Sequence, residues 1–171
     1  RKLSFPRYTV VVAGSISALI NLCINLLIVI FFMVLNQVPF RLEALLIVLP
    51  VAELFLFALA IAFLLSALYV RFRDIGYIWE VFIQALFYAT PILYPVAIII
   101  KYSEEAAKFA LLNPLAQIIQ DARAFLIGNG QPTTATIWGT PFARLVPVMI
   151  VIITAVMAGW YFKKRSPYFA E

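Results

Sequence analysis

In a chain this apolar, the few side chains that ionise or hydrogen-bond are the candidates for chemistry. Glu53 stands alone as an acid inside the run 44–70. An ionised carboxylate at that depth is costly and normally faces protein or a water-filled cavity. Glu53 is therefore a candidate pore-lining or gating residue. The competing reading is a local hydrogen-bonded pair, or an acid seated near the outer interface, with Arg41 and Lys101 able to approach it. Glu80, Gln84 and Tyr88 stand at i, i+4 and i+8, which places them on one helix face. Such a stripe would line a hydrophilic passage, continued by Tyr94. The alternative is that Glu80 snorkels to the interface while the other two pack. Gly14, Ser17, Asn21 and Asn25 form a second stripe, which suits close helix contact or a substrate path. Phe87, Tyr88, Tyr94, Tyr102, Trp138 and Phe142 gather near one expected interface, the pattern of an aromatic belt. Aromatic rings also stack on sugars, so both uses stay open.

Other chemistries find no support. The chain has no histidine and a single cysteine, Cys23, so neither a disulfide framework nor a multi-cysteine metal site is expected. No G-x-x-x-x-G-K-[ST] occurs. No catalytic residue and no metal ligand is assigned, and ATP and magnesium have no expected place in this chain.

The elements that must position these groups follow from composition. Of 171 residues, 65% are hydrophobic and 12% charged, against about 25% charged in soluble domains. A soluble fold could not hide so much apolar surface, so the solvent is lipid and the fold class is an all-α membrane protein. The net charge of +5 does not indicate nucleic acid, because the basic residues sit at the ends of apolar runs.

Four spans are expected, at 8–35, 44–70, 75–93 and 145–162, within a single transmembrane domain covering 1–171. "NQVPF" reads as a turn after the first. Four spans put both ends of the chain on one side. With cytoplasmic ends, the inside holds Arg1, Lys2, Arg7, Arg71, Arg73, Lys163, Lys164 and Arg165, and the outside Arg41, Lys101, Lys108, Arg123 and Arg144. The positive-inside rule favours that orientation. Arg71, Arg73 and Asp74 then form a cytoplasmic turn, with Asp74 capping the next helix. Residues 163–171 form a cytoplasmic tail.

The segment between the third and fourth spans is interrupted. Pro91 and Pro95 remove amide donors, and in lipid such a break is tolerated only under cover of protein or water. Ser103 before Glu104 and Glu105 reads as a helix start, and Asn113-Pro114 as another. Two short amphipathic or re-entrant helices are expected over 96–127 on the outer side. In the second, Leu115, Ile118, Ile119, Ala122 and Leu126 share a face, with Gln117, Gln120 and Asp121 largely opposite. "GNGQPTTAT" reads as a flexible exposed loop.

Four phrases carry a resemblance: "KLSFPR", "LLSALYVRFRDIGYIW", "ALFYATPILYP" and "LLNPLAQIIQDARAFLIG", in that order over nearly the whole chain. Together they resemble the permease subunits of type-2 ABC transporters that export polysaccharides, among them O-antigen, teichoic acid and capsule exporters. The resemblance implies a six-span bundle, of which this chain holds four. The chain begins at Arg1, and the native N-terminus with the first two spans is expected upstream. Lys2, Phe5, Pro6 and Arg7 would belong to the coupling region that touches a separate ATPase subunit, which binds ATP and magnesium. Pro91, Pro95, Asn113 and Pro114 would shape the gate helices on the exit side. The working unit would be a homodimer of permeases with two ATPases, in a bacterial cytoplasmic membrane, handling a lipid-linked glycan. It implies transport rather than catalysis.

Two alternatives accompany this reading. One keeps the family and changes the cargo to a drug or a lipid. The other is an intramembrane enzyme acting on polyprenyl-linked sugars through Glu53, Asp74 or Glu80, against which the missing histidine and carboxylate clusters count.

Overall fold

The computed structural model describes residues 8–72, 74–128 and 130–165, with the side chain of Arg165 excepted. Among these residues the regular structure is all helical. Lys2, Phe5, Pro6, Arg7 and Arg73 lie outside the described residues, as does the tail beyond 165.

Helix α1 (Tyr8–Leu35) covers 28 residues, about 42 Å at the α-helical rise. It ends where Gln37 takes a positive φ of 55° and the amides of Gln37 and Val38 close back on Val34 and Met33. A non-glycine residue in that region is uncommon, and it sits where helices often turn off. A 3-10 turn (Leu42–Ile47) leads into α2 (Val48–Tyr69), and another (Pro141–Arg144) leads into α8 (Leu145–Arg165). Pro50 and Pro147 fall in the first turns of their helices, where a missing amide breaks no intrahelical bond. Three segments, Tyr8–Leu35, Leu42–Tyr69 and Pro141–Lys164, are long and apolar enough to cross a membrane.

Helix α3 (Ile75–Ala89) begins directly after Asp74 and is apolar but only 15 residues long. That is about 22 Å, less than the ~30 Å hydrocarbon core. It stops four residues before the expected end at 93. Pro91 disfavours the helical conformation of the residue before it, so Thr90 already leaves the helix. A crossing by this segment would need the broken stretch that follows.

Where two short helices were expected over 96–127, there are three: α4 (Val96–Tyr102), α5 (Glu104–Ala110) and α6 (Pro114–Ile127). Ser103 separates the first two and accepts a hydrogen bond from the Ala106 amide at 3.2 Å, so the expected start at Ser103 is present and α4 is the additional helix. Residues expected as a flexible loop form α7 (Thr134–Trp138). Thr133 and Thr136 cap each other reciprocally, and Thr134 is fully buried. Val96, Ala107, Leu111 and Ala116 form a small apolar core among α4, α5 and α6, with Ile137 of α7 against it.

The chain divides into two compact units. The first gathers the described residues up to Val38, Phe55–Ile75 and those from Thr154 onward. The second holds Pro39–Leu54 and Gly76–Ile153.

Candidate functional site

The polar groups of the second unit converge on α6. Its start is fixed locally. Asn113 accepts a hydrogen bond from the Leu115 amide at 3.1 Å, and Pro114 takes the first helical position without losing a bond. Its end is fixed at Gly128, whose φ of 117° excludes side chains, and a Cβ there would lie 2.9 Å from Arg41 Nη1.

One side of α6 closes the break after α3. Arg123 donates from Nη1 to the Pro91 carbonyl at 3.2 Å and from Nη2 to the Ile92 carbonyl at 2.9 Å. Asn113 Nδ2 donates to Thr90 Oγ1 at 3.0 Å. Thr90 and Pro91 are fully buried. The two Arg123 bonds satisfy main-chain carbonyls at the proline break, which apolar surroundings demand. The Tyr94 hydroxyl donates to the Tyr88 carbonyl at 3.0 Å across the same break.

The other side carries a charged network. Gln117 Nε2 donates to Asp121 Oδ2 at 2.7 Å, and Arg144 Nη2 pairs with Asp121 Oδ1 at 3.0 Å. Gln117 Nε2 also reaches Glu53 Oε2 at 3.5 Å, a long and weaker contact. Four elements thus meet: the start of α2, α6, the 3-10 turn before α8, and the Leu42–Ile47 turn packed on α6. Burial pushes the Asp121 carboxyl above its ordinary range, while the Gln117 hydrogen bond and the Arg144 guanidinium pull it back. Among the described residues, Glu53 Oε1, Gln117 Oε1, Gln120 Nε2 and Arg144 Nε are buried without a hydrogen-bond partner. Beside the network lies a cavity of about 370 Å³, lined by Glu43, Phe125, Gln131, Thr133, Thr136 and Arg144 among others.

The sequence-derived candidates fare unequally. Glu53 is drawn into the network through Gln117, in place of the expected approach by Arg41 or Lys101. Pro91, Asn113 and Pro114 gather at the break, with Pro91 and Pro114 buried, whereas Pro95 is exposed and precedes α4. Glu80, Gln84 and Tyr88 remain an exposed stripe on α3, apart from the α6 network, and Tyr94 is half-buried. Arg71 and Asp74 are exposed after α2, with the Arg71 guanidinium 5.2 Å from the Phe72 ring centre. The polar face of α6 is a covered one. Gln117 and Gln120 are 1% exposed and Asp121 4%, while Leu115, Ile119, Ala122 and Leu126 are only half-buried. Periodicity separates the two faces of the helix without saying which is covered; Ile118 of the apolar face is also buried. Gln117, Asp121, Arg123 and Arg144 had no role assigned from sequence. The available signal was an acid and two bases isolated in apolar stretches, where charges normally find one another.

All-helical regular structure among the described residues, with three segments long and apolar enough to cross a membrane, defines an all-α, multi-pass membrane protein. Residues 1–126 match the family described as ABC-2 type transporter, and the chain belongs to that family. It is 31% identical over 115 residues to the O-antigen export system permease protein RfbA of Myxococcus xanthus, an alignment covering 67% of this chain and 41% of that protein. The chain thus spans less than half the length of that curated relative. No solved structure matches it.

Proposed function

We propose that this chain is part of the permease subunit of an ABC exporter that moves a lipid-linked polysaccharide outward across the bacterial cytoplasmic membrane. The observation that carries this reading is the 31% identity to a permease named for O-antigen export. The protein works as a homodimer with two separate ATPase subunits, which hold ATP and magnesium. Lys2, Phe5, Pro6 and Arg7 meet those subunits, and both ends of the chain are cytoplasmic.

In this reading α4 to α6 form the exit gate. The break at Pro91–Pro95 frees the chain to turn back, and Arg123 keeps its open carbonyls satisfied. The Asp121–Arg144–Gln117–Glu53 network ties the gate to the starts of α2 and α8. ATP-driven closure rocks the spans, and the network passes that motion to the gate. Glu80, Gln84, Tyr88 and Tyr94 offer polar contacts along the passage, while Arg71, Arg73 and Asp74 support the turn on the ATPase side.

The test is co-purification of the full-length protein with candidate ATPases, together with surface glycan measured after deletion of the gene. Co-purification with loss of surface glycan is expected. An intact glycan coat in the deletion strain refutes the polysaccharide assignment, and appearance of a drug-sensitive phenotype instead points to the other cargo.

A further inference from the structure

The first unit holds a groove of about 330 Å³ lined by Tyr8, Phe63, Gly159, Phe162 and Lys163. Its walls come from the start of α1, from α2 and from the end of α8. Phe63 and Phe162 meet edge to face at 4.9 Å and form its apolar side. Gly159 opens it: a Cβ built there meets nothing within 4 Å. Lys163 is exposed at the mouth, and no ion pair to it is found among the described residues. Its neighbour Lys164 lies 5.0 Å from the Trp160 ring centre, an aromatic–cation pairing at the end of a membrane-length helix.

Charge separates the two units. Eight of the thirteen basic residues but only two of the eight acids belong to the first unit by sequence. An apolar slot between membrane-length helices, open at Lys163 with Lys164 next to it, complements one kind of ligand. It fits a molecule with a hydrocarbon chain and an anionic headgroup.

We propose that this groove is a specific site for an anionic phospholipid, with an acyl chain against Phe63, Phe162 and Gly159 and the headgroup phosphate on Lys163. A zwitterionic lipid offers the same chain but carries a compensating cation next to Lys163, so the site selects by headgroup charge. The inference does not depend on which cargo the transporter carries.

The test uses purified full-length protein in nanodiscs of phosphatidylglycerol, of phosphatidylcholine, or of phosphatidylcholine doped with polyprenyl phosphate. Lipid retained on detergent extraction is counted by native mass spectrometry. Wild-type protein is expected to retain phosphatidylglycerol over phosphatidylcholine. Lys163→Ala should lower that retention by about fivefold, the weight of one basic residue near an anionic surface. Gly159→Leu should abolish it by filling the slot, while leaving the size-exclusion profile and the Lys163 charge intact. Equal retention of the two phospholipids, retention of polyprenyl phosphate alone, or unchanged retention in Gly159→Leu overturns the proposal. So does a groove filled by another part of the full-length protein or by a second copy, seen as cross-linking through Gly159→Cys.

Discussion

Asp121 shows how one buried carboxyl reports on the clasp. Both its oxygens are engaged, one by Gln117 and one by Arg144, yet burial outweighs these partners and raises its pKa. A carboxyl raised in the folded state holds its proton more tightly there than in the unfolded chain. The stability it gives is complete at low pH and erodes as pH climbs from the ordinary carboxylate range through the raised value. Thermal unfolding of the detergent-purified protein, followed from about pH 4 to 8, should show that decline, and Asp121→Asn should flatten it. Arg144→Gln removes a group that pulls the carboxyl down, so the declining limb should move to higher pH. Arg144→Gln should also cost about 1–2 kcal/mol at neutral pH, less than a fully buried pair because its side chain is 40% exposed. A pH profile identical in wild type and Asp121→Asn would remove Asp121 from this role.

At the scale of elements, α6 is a clip across a broken helix, and Arg123 is its hook. Its guanidinium forks onto the Pro91 and Ile92 carbonyls, which lysine cannot reproduce with a single point charge. Arg123→Leu should lose about 2 kcal/mol through two charge-assisted bonds to the carbonyls of buried Pro91 and half-buried Ile92. Hydrogen exchange at the Ile92, Leu93 and Tyr94 amides should quicken, with Arg123→Lys in between. Unaltered exchange there would show the break to be held by packing alone. What was legible in the sequence divides along the same line. The extent of α1, the caps at Ser103 and Asn113 and the end at Gly128 are set by neighbours in sequence and were read correctly. Proline was recognised at Pro91, but its effect on the preceding residue shortens α3 further than the apolar pattern suggests. The face of α6 was assigned by periodicity, which groups Gln117 and Asp121 without saying what covers them. Their partners, Glu53 and Arg144, lie 64 and 23 residues away, beyond any local window. Thr133 was hidden differently: a loop-like composition of Gly, Pro and Thr concealed a reciprocal cap.

For the whole molecule the deciding quantity is the sidedness of charge. The residues of the first unit hold most of the basic side chains, among them Arg71 after α2 and Lys163 and Lys164 at the end of α8. The second unit is nearly balanced, with five bases and six acids. A membrane-spanning chain inserts with its lysines and arginines on the cytoplasmic side, and acids weigh little in that choice. Under the orientation proposed above, Tyr102 is expected on the outer side and Arg71 on the cytoplasmic side. Cys23 is the one cysteine of this sequence, so labelling starts from a background in which Cys23 and any cysteine elsewhere in the full-length protein are replaced by alanine. In intact cells, or in spheroplasts where an outer membrane blocks the reagent, Tyr102→Cys should react with an impermeant maleimide, since Tyr102 is 86% exposed on α4. Arg71→Cys, also exposed, should react only after permeabilisation. The reverse pattern would put the clasp on the ATPase side and end its reading as a gate. The lipid groove would survive that reversal, because its argument rests on local charge and shape within the first unit and not on which leaflet faces it.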